Sequence, residues 1–384
     1  MNAFTEPMEL LAIADDLTGA LEVGAQFSDE NISCVVSTGD VCGNVSRLVI
    51  DAGTRRLDDC AAALRIHDII HTSSVDVPIS HVFLKTDSTL RGPIGRSIQA
   101  ILNEYPDRKV VYAPAYPALG RIVRDGRLFI DGALVTETAF AQDLLNPVRE
   151  SSPLRLISAV VARGVLRATP RELTQALRTG VVVVVDGETD HDLEITALET
   201  CNAGAIAAGT AAFARAWARM LNLPRSPRPP APVARSGLIV AGSLHPRSWA
   251  QVKYAAQRGV PAFATGAGVR VIVRAIEQRN WAIIATSDQV CGEPLQIAAE
   301  LGRAVQEIAT RARFDALVIF GGDTASAVLK ALGCTVVRPI QELLTGVPVS
   351  MPCNGCSQIL VSKAGGFGQE DVIEQIIMRL EGRR

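Results

Sequence analysis

Short apolar runs of four to eight residues recur along the whole chain, each stopped by polar residues or glycines and followed by helical spacing. That order of signals predicts buried parallel strands alternating with helices. Composition agrees. Aromatics make up 4% of the chain, and Ala, Val, Ile and Leu dominate its 48% hydrophobic content, the aliphatic bias of strands covered on both faces.

In the first half, strands are expected at Glu9–Ala14, Ile32–Val36, Arg47–Ile50, His81–Leu84, Lys109–Ala113 and Val181–Val185, and helices at Thr18–Phe27, Ile94–Tyr105 and Pro170–Leu177. In the second half the expected strands are Gly237–Ala241, Trp281–Ala285, Ala316–Phe320 and Gln358–Val361. Helical spacing marks Pro246–Gln257, Pro294–Ala312 and Thr324–Leu332.

One break interrupts the pattern. Leu223–Val233 holds five prolines, which fix φ and remove backbone donors, so the stretch reads as an extended linker. A chain of 384 residues also exceeds the ~250–300 at which single cores stop growing. The expected fold is therefore α/β, with two α/β domains of mostly parallel sheet flanked by helices. Residues 1–222 form the first, 223–235 the linker and 236–384 the second.

Net charge is −2, from 38 basic and 40 acidic residues in mixed order, with no basic stripe for nucleic acid. No apolar run approaches the ~18 residues of a membrane-spanning helix. The acidic start, MNAFTEPMEL, lacks the features of an export signal, so cytoplasm is the expected location. Eight scattered cysteines are expected to stay reduced; Cys353 and Cys356 form a C-x-x-C without a second pair, and read as loop residues.

In open parallel sheets, ligands sit beyond the carboxyl ends of strands, and there the polar residues gather. Asp15-Asp16 follows the first strand and precedes Thr18-Gly19. One carboxylate is enough to cap the coming helix, so the other is surplus and suits hydroxyl binding or base chemistry. Lys85-Thr86-Asp87-Ser88-Thr89-Leu90-Arg91-Gly92 packs cations and hydroxyls after the fourth strand, a composition for an anionic ligand. Ala113–Arg121, continuing to Asp125-Gly126 and Gly132, reads as a long ordered loop in which Arg121 offers a second anion contact. In the second half, Gly242-Ser243, Gly321-Gly322-Asp323-Thr324 and Gly365-Gly366 each link a strand to a helix. Glycines let N–H groups approach phosphate oxygens, and a helix start adds favourable partial charge. No Walker or dinucleotide fingerprint is present.

The sequence Asp15-Asp16-Leu17-Thr18-Gly19-Ala20, then Lys85–Gly92, then Gly321-Gly322-Asp323-Thr324-Ala325, then Lys363-Ala364-Gly365-Gly366-Phe367-Gly368 resembles the four-carbon acid sugar kinase family over nearly the whole chain. The resemblance implies ATP-dependent phosphorylation of a tetronate (threonate, erythronate or a 3-oxo-tetronate) at its terminal hydroxyl. It implies a sugar-acid-binding first domain that uses Asp15, Asp16, Lys85, Asp87, Ser88 and Arg91; in a phosphoryl transfer, one carboxylate of Asp15, Asp16 or Asp87 is expected to orient the terminal hydroxyl and accept its proton. It implies a second domain that binds ATP through Ser243, Gly321, Gly322, Asp323, Thr324, Gly365 and Gly366. Mg²⁺ is expected with the phosphates, Asp323 being an indirect contact and no ligand set being assigned. Leu21-Glu22-Val23 departs from the polar Asn-Asp pair of many relatives. A homodimer is the default assembly. Two other readings fit the bare residues: a non-catalytic sensor of sugar acid and nucleotide, and a metal-dependent sugar-acid lyase or aldolase.

Overall fold

A computed structural model describes residues 8–383 except 30–33, 40–44, 75–77, 144, 163, 225, 228 and 287–292. Ile32 and Ser33 of one expected strand, with Cys42 and Cys291, lie outside the described residues. The chain divides into two compact units, Met1–Phe27 with Gly39–Arg225 and Ser28–Thr38 with Ser226–Arg384.

The first half runs β1 (Met8–Ala14), α1 (Leu17–Phe27), β2 (Cys34–Ser37), β3 (Arg47–Asp51), α2 (Asp59–Ser74), β4 (Ile79–Lys85), α3 (Ile94–Glu104) and β5 (Val110–Ala113). There follow β6 (Arg121–Arg124), β7 (Arg127–Ile130), β8 (Ala133–Leu134), α4 (Pro153–Ser158), β9 (Val165–Ala168), α5 (Leu173–Ala176), β10 (Val182–Val185), α6 (Asp190–Asn202), β11 (Ile206–Gly209) and α7 (Ala211–Met220). In the first unit the strand order is β3-β1-β4-β11-β5-β10-β9, and every neighbouring pair is parallel. Registers place Asp51 and Lys85 level with Ala14. The carboxyl ends of three adjacent strands therefore finish together, and the polar residues that follow them are neighbours.

All of α1 is buried, Glu22 included. Helix starts follow local chemistry: Thr189 and Asp192 form a capping box on α6, and the Thr210 hydroxyl accepts from Phe213 N at α7. The stretch expected as a long loop after β5 is instead a three-stranded antiparallel sheet, β6-β7-β8. Its turns explain the difference. Asp125-Gly126 and Asp131-Gly132 both take positive φ at both positions, the Asp-Gly hairpin signature.

The second half contains β12 (Gly237–Ala241), α8 (Pro246–Gln257), β13 (Ala262–Ala264), α9 (Val269–Arg279), β14 (Trp281–Ala285), α10 (Pro294–Arg311), β15 (Ala316–Phe320) and α11 (Gly322–Ala331). It ends with β16 (Val336–Leu344), β17 (Val347–Pro352), β18 (Ile359–Lys363) and α12 (Val372–Leu380). Strands β13-β14-β12-β15-β18 are parallel, and β17 and β16 extend them antiparallel. The next strand out is β2, which pairs antiparallel with β16 (Val336↔Ser37, Val337↔Val36). Ser28–Thr38 thus belongs to the second unit, where a single cut at the proline stretch assigns it to the first.

Among the described residues no helix is long and apolar enough to cross a membrane. The six described cysteines are free thiols, and Cys334 Sγ donates to Val336 O.

Candidate functional site

In the first unit, Arg55 is the hub of the β1, β3 and β4 ends. Its Nε donates to Asp15 Oδ2 at 2.7 Å and its Nη1 to Asp16 Oδ2 at 2.8 Å, while Nη2 stands 3.5 Å from Asp87 Oδ1. Burial opposes its charge, but Asp15, Asp16 and Asp87 together raise its affinity for the proton well above the usual arginine value.

The three carboxylates differ in how fully they are used. Asp16 is the helix cap: Oδ1 accepts from Gly19 N at 2.9 Å, and Oδ2 accepts from Thr18 Oγ1 at 2.6 Å and from Arg55. Burial pushes its pKa up, yet Arg55, Lys85 and these donors outweigh it and leave the carboxyl below its ordinary value. Asp87 is gripped by Arg91, with Nε and Nη2 each at 3.0 Å, and also accepts from Thr89 N and Oγ1. Burial is again outweighed, here by Arg91 and Arg55, and Asp87 is held well below its ordinary value.

Asp15 is the exception. Its Oδ1 is a buried atom with no hydrogen-bond partner among the described residues, and Lys85 Nζ stands 3.9 Å from it. Burial wins over Arg55 and Lys85, so its pKa is raised. Lys85 Nζ donates to Thr86 O at 2.9 Å. It passes so close to α1 that a Cβ on Gly19 would lie 2.6 Å from it, so a side chain there would have to displace the ammonium.

A fourth acid, Asp51, ends β3. Burial and the charge of Asp16 push its pKa up to about 7. Arg91 extends its fork to Asp143 Oδ2 at 3.0 Å, and its guanidinium lies 5.4 Å from the Phe140 ring centre. Arg121 is buried, donates to Ser88 Oγ, and stands 5.8 Å from the same ring. Burial lowers its pKa to about 10. A cavity of about 370 Å³ is lined by Arg55, Arg91, Gly92, Asn146 and Arg149, among others.

In the second unit the three glycine loops follow β12, β15 and β18, which are adjacent parallel strands. The loops touch. A Cβ on Gly365 would collide with Ser243 Oγ, one on Gly242 with Thr324 Oγ1, and one on Gly321 would lie 3.5 Å from Ser243 Cβ. Gly321 has φ 102° and stands at the start of α11, whose first turn carries Asp323. Backbone donors, a hydroxyl and a helix N-terminus converge there, the composition of an anion cradle. Among the described residues no trio of His, Cys, Asp or Glu is arranged to hold a metal ion by itself.

The family model described as "Sugar-binding N-terminal domain" matches residues 10–217, and that described as "Nucleotide-binding C-terminal domain" matches 238–373. The chain belongs to the four-carbon acid sugar kinase family. It is similar to the D-threonate kinase of Bordetella bronchiseptica, 27% identical over 97% of each chain. It is also similar to the 3-oxo-tetronate kinase of Pseudomonas fluorescens, 25% identical over 98% of this chain and 99% of the relative. Its fold matches a solved Salmonella typhimurium LT2 structure described as a putative tRNA synthase, with a TM-score of 0.74, 20% identity, and coverage of 96% and 98%.

Within this kinase-family fold, the residues expected from sequence fall into two groups. Asp15, Asp16, Lys85, Asp87, Ser88 and Arg91 are together in the first unit. Ser243, Gly321, Gly322, Asp323, Thr324, Gly365 and Gly366 follow the three strand ends of the second. Arg91, expected to be open to a ligand carboxylate, already forms a bidentate pair with Asp87. Sequence reasoning missed Arg55 and Asp51. The available signal was Asp51-Ala52-Gly53-Thr54-Arg55, an acid and a base after a strand, the same pattern that marked the other two strand ends.

Proposed function

We propose that this protein is an ATP-dependent kinase that phosphorylates the terminal hydroxyl of a four-carbon sugar acid: threonate, erythronate or 3-oxo-tetronate. The relatives named D-threonate kinase and 3-oxo-tetronate kinase support the substrate class, and the nucleotide-binding domain description supports the phosphate donor. The observation that carries the reading is the position of Arg55. It lines the cavity and also donates to Asp15 Oδ2, so one guanidinium links the cavity wall to a buried carboxylate whose other oxygen accepts no hydrogen bond among the described residues.

A cavity of this volume suits a small ligand, and Arg55, Arg91 and Arg149, set against Asp59 and Glu150, supply the guanidiniums of its wall for the substrate carboxylate. Asp15 Oδ1 takes the proton of the terminal hydroxyl as that oxygen bonds to the γ-phosphorus. The bond from the γ-phosphorus to its β-bridging oxygen breaks, and ADP leaves. A carboxylate with a raised pKa is the better base of the three. Asp16 fixes the start of α1, and Asp87 fixes Arg91.

Ser243 and the Gly321 and Gly365 loops receive the phosphates. Asp323, in the first turn of α11, is the acidic side chain beside Gly321-Gly322 and fits an indirect Mg²⁺ contact. Mg²⁺ supplies charge neutralisation on the phosphate oxygens.

The test is ADP release from ATP and Mg²⁺ across the four-carbon sugar acids, with the product examined by ³¹P NMR. The expected result is ADP with at least one acid and a phosphomonoester coupled to the two protons of a terminal carbon. Tight ATP binding without ADP release on any of these acids overturns the reading.

A further inference from the structure

The turn after β18 is held by three side chains that the proposed reaction does not use. Lys363 Nζ donates to the carbonyls of Ala364 at 2.9 Å, Gly365 at 3.2 Å and Phe367 at 2.9 Å. From α8, Ser248 Oγ donates to Gly365 O at 2.9 Å, while Gln251 Nε2 lies within 3.1 Å of the carbonyls of Phe367, Gly368 and Gln369. Ser248 and Gln251 are three apart and share a helix face. All three side chains are 0% exposed.

A trans peptide points its N–H opposite to its C=O. Drawing the Ala364 and Gly365 carbonyls onto Lys363 and Ser248 therefore turns the N–H groups of Gly365 and Gly366 the other way, out of the donor cluster. Gly365 is also the glycine packed against Ser243.

The energetics of Lys363 point in the same direction. Its ammonium sits 4.2 Å from the Phe320 ring centre and among the described residues forms no ion pair with a carboxylate. Burial, with help from Arg247, pushes its pKa down to about 7. A buried cation held only by carbonyl dipoles and a ring is costly in the resting protein. An anion bound on the far side of the loop offsets that cost.

We infer that Lys363, Ser248 and Gln251 are positioning residues for nucleotide phosphate: they fix the carbonyls of Ala364, Gly365, Phe367, Gly368 and Gln369 so that the Gly365 and Gly366 N–H groups are presented together to an anion. The inference rests on the reading of the second unit as the nucleotide site. Neither Lys363 nor the α8 pair touches the ligand in this arrangement; they act through the loop.

The test uses the full chain, with ADP and ATP binding by calorimetry and steady-state kinetics on Lys363→Met and Gln251→Ala, each checked for folding by thermal melting. The expected result is a rise of about tenfold or more in nucleotide Kd and KM, with kcat at saturating ATP within about threefold and the sugar-acid KM within about twofold. If Lys363→Met does not fold, Gln251→Ala carries the test. Unchanged nucleotide affinity in folded variants overturns the inference, as does a fall in kcat with KM unmoved. Failure of the unmodified protein to bind ADP or ATP overturns the nucleotide reading beneath it instead.

Discussion

Asp15 Oδ1 stands 3.9 Å from Lys85 Nζ with no hydrogen bond of its own, while Arg55 occupies the other oxygen of the same carboxylate. One side of Asp15 is anchored, and the other is a buried acceptor left unfilled among the described residues. Asp15→Asn keeps the shape and removes the proton acceptor, so kcat is expected to fall by about 10²–10⁴ with the nucleotide Kd unchanged. Kinetics beside calorimetry check this; retention of kcat in Asp15→Asn assigns the proton elsewhere.

Arg55 lowers the pKa of both Asp15 and Asp16. Arg55→Met removes that influence, so both carboxyls move up and the acid limb of the pH–rate profile shifts to higher pH. The same change leaves buried carboxylates uncompensated, for which about 3–5 kcal/mol of lost stability is expected. Denaturant melts at neutral pH measure the second effect, and kcat/KM across pH the first.

Asp51 provides a signed test of stability. Its pKa is raised from 3.8 to about 7 in the folded chain, so folding favours its protonated form. The contribution is fully present below the unfolded value and is lost as pH rises through the folded one. Asp51→Asn is expected to flatten the decline in stability between about pH 4 and 7. A carboxyl carbon of Asp51 that titrates near 4 by ¹³C NMR contradicts the expectation.

Gly365 and Gly321 exclude a side chain for different reasons, a collision with Ser243 and a positive φ. Gly365→Ala and Gly321→Ala are expected to raise the ATP KM by about tenfold or more, leaving the sugar-acid KM alone. Gly268 has ordinary φ, and a methyl group there would meet nothing within 4 Å, so Gly268→Ala is the neutral control.

Most parallel strands were legible because burial on both faces writes itself as an aliphatic run, as in Glu9–Ala14 and Val181–Val185, while the short β9, β11 and β13 were missed. Of the antiparallel strands, β2 was expected, but β6, β7, β8, β16 and β17 were not. Residues 336–344 mix polar positions and Pro339 into the pattern, and the pairing of β2 with β16 joins residues about 300 apart, which no local signal encodes. The acids at 15, 16 and 87 stood out because charge clusters where a strand stops. Arg55 did not, since Arg56 beside it looks identical in sequence; only the turn over Thr54–Arg56 buries one more deeply than the other. Gln251 was hidden for the opposite reason, and Lys363 stood out only as the first residue of a glycine motif. Buried polar side chains that satisfy their own loop leave no mark on a hydrophobic pattern.

The interleaving of Ser28–Thr38 restricts how such a chain is divided or recombined. The backbone passes between units after Phe27, after Thr38 and after Arg225. A fragment beginning at Ser226 is missing a strand and carries a bare edge along β16, which invites aggregation. Neither half is a cassette that gene fusion can lift out whole, because a single cut at the proline stretch parts β2 from the β16 edge it completes.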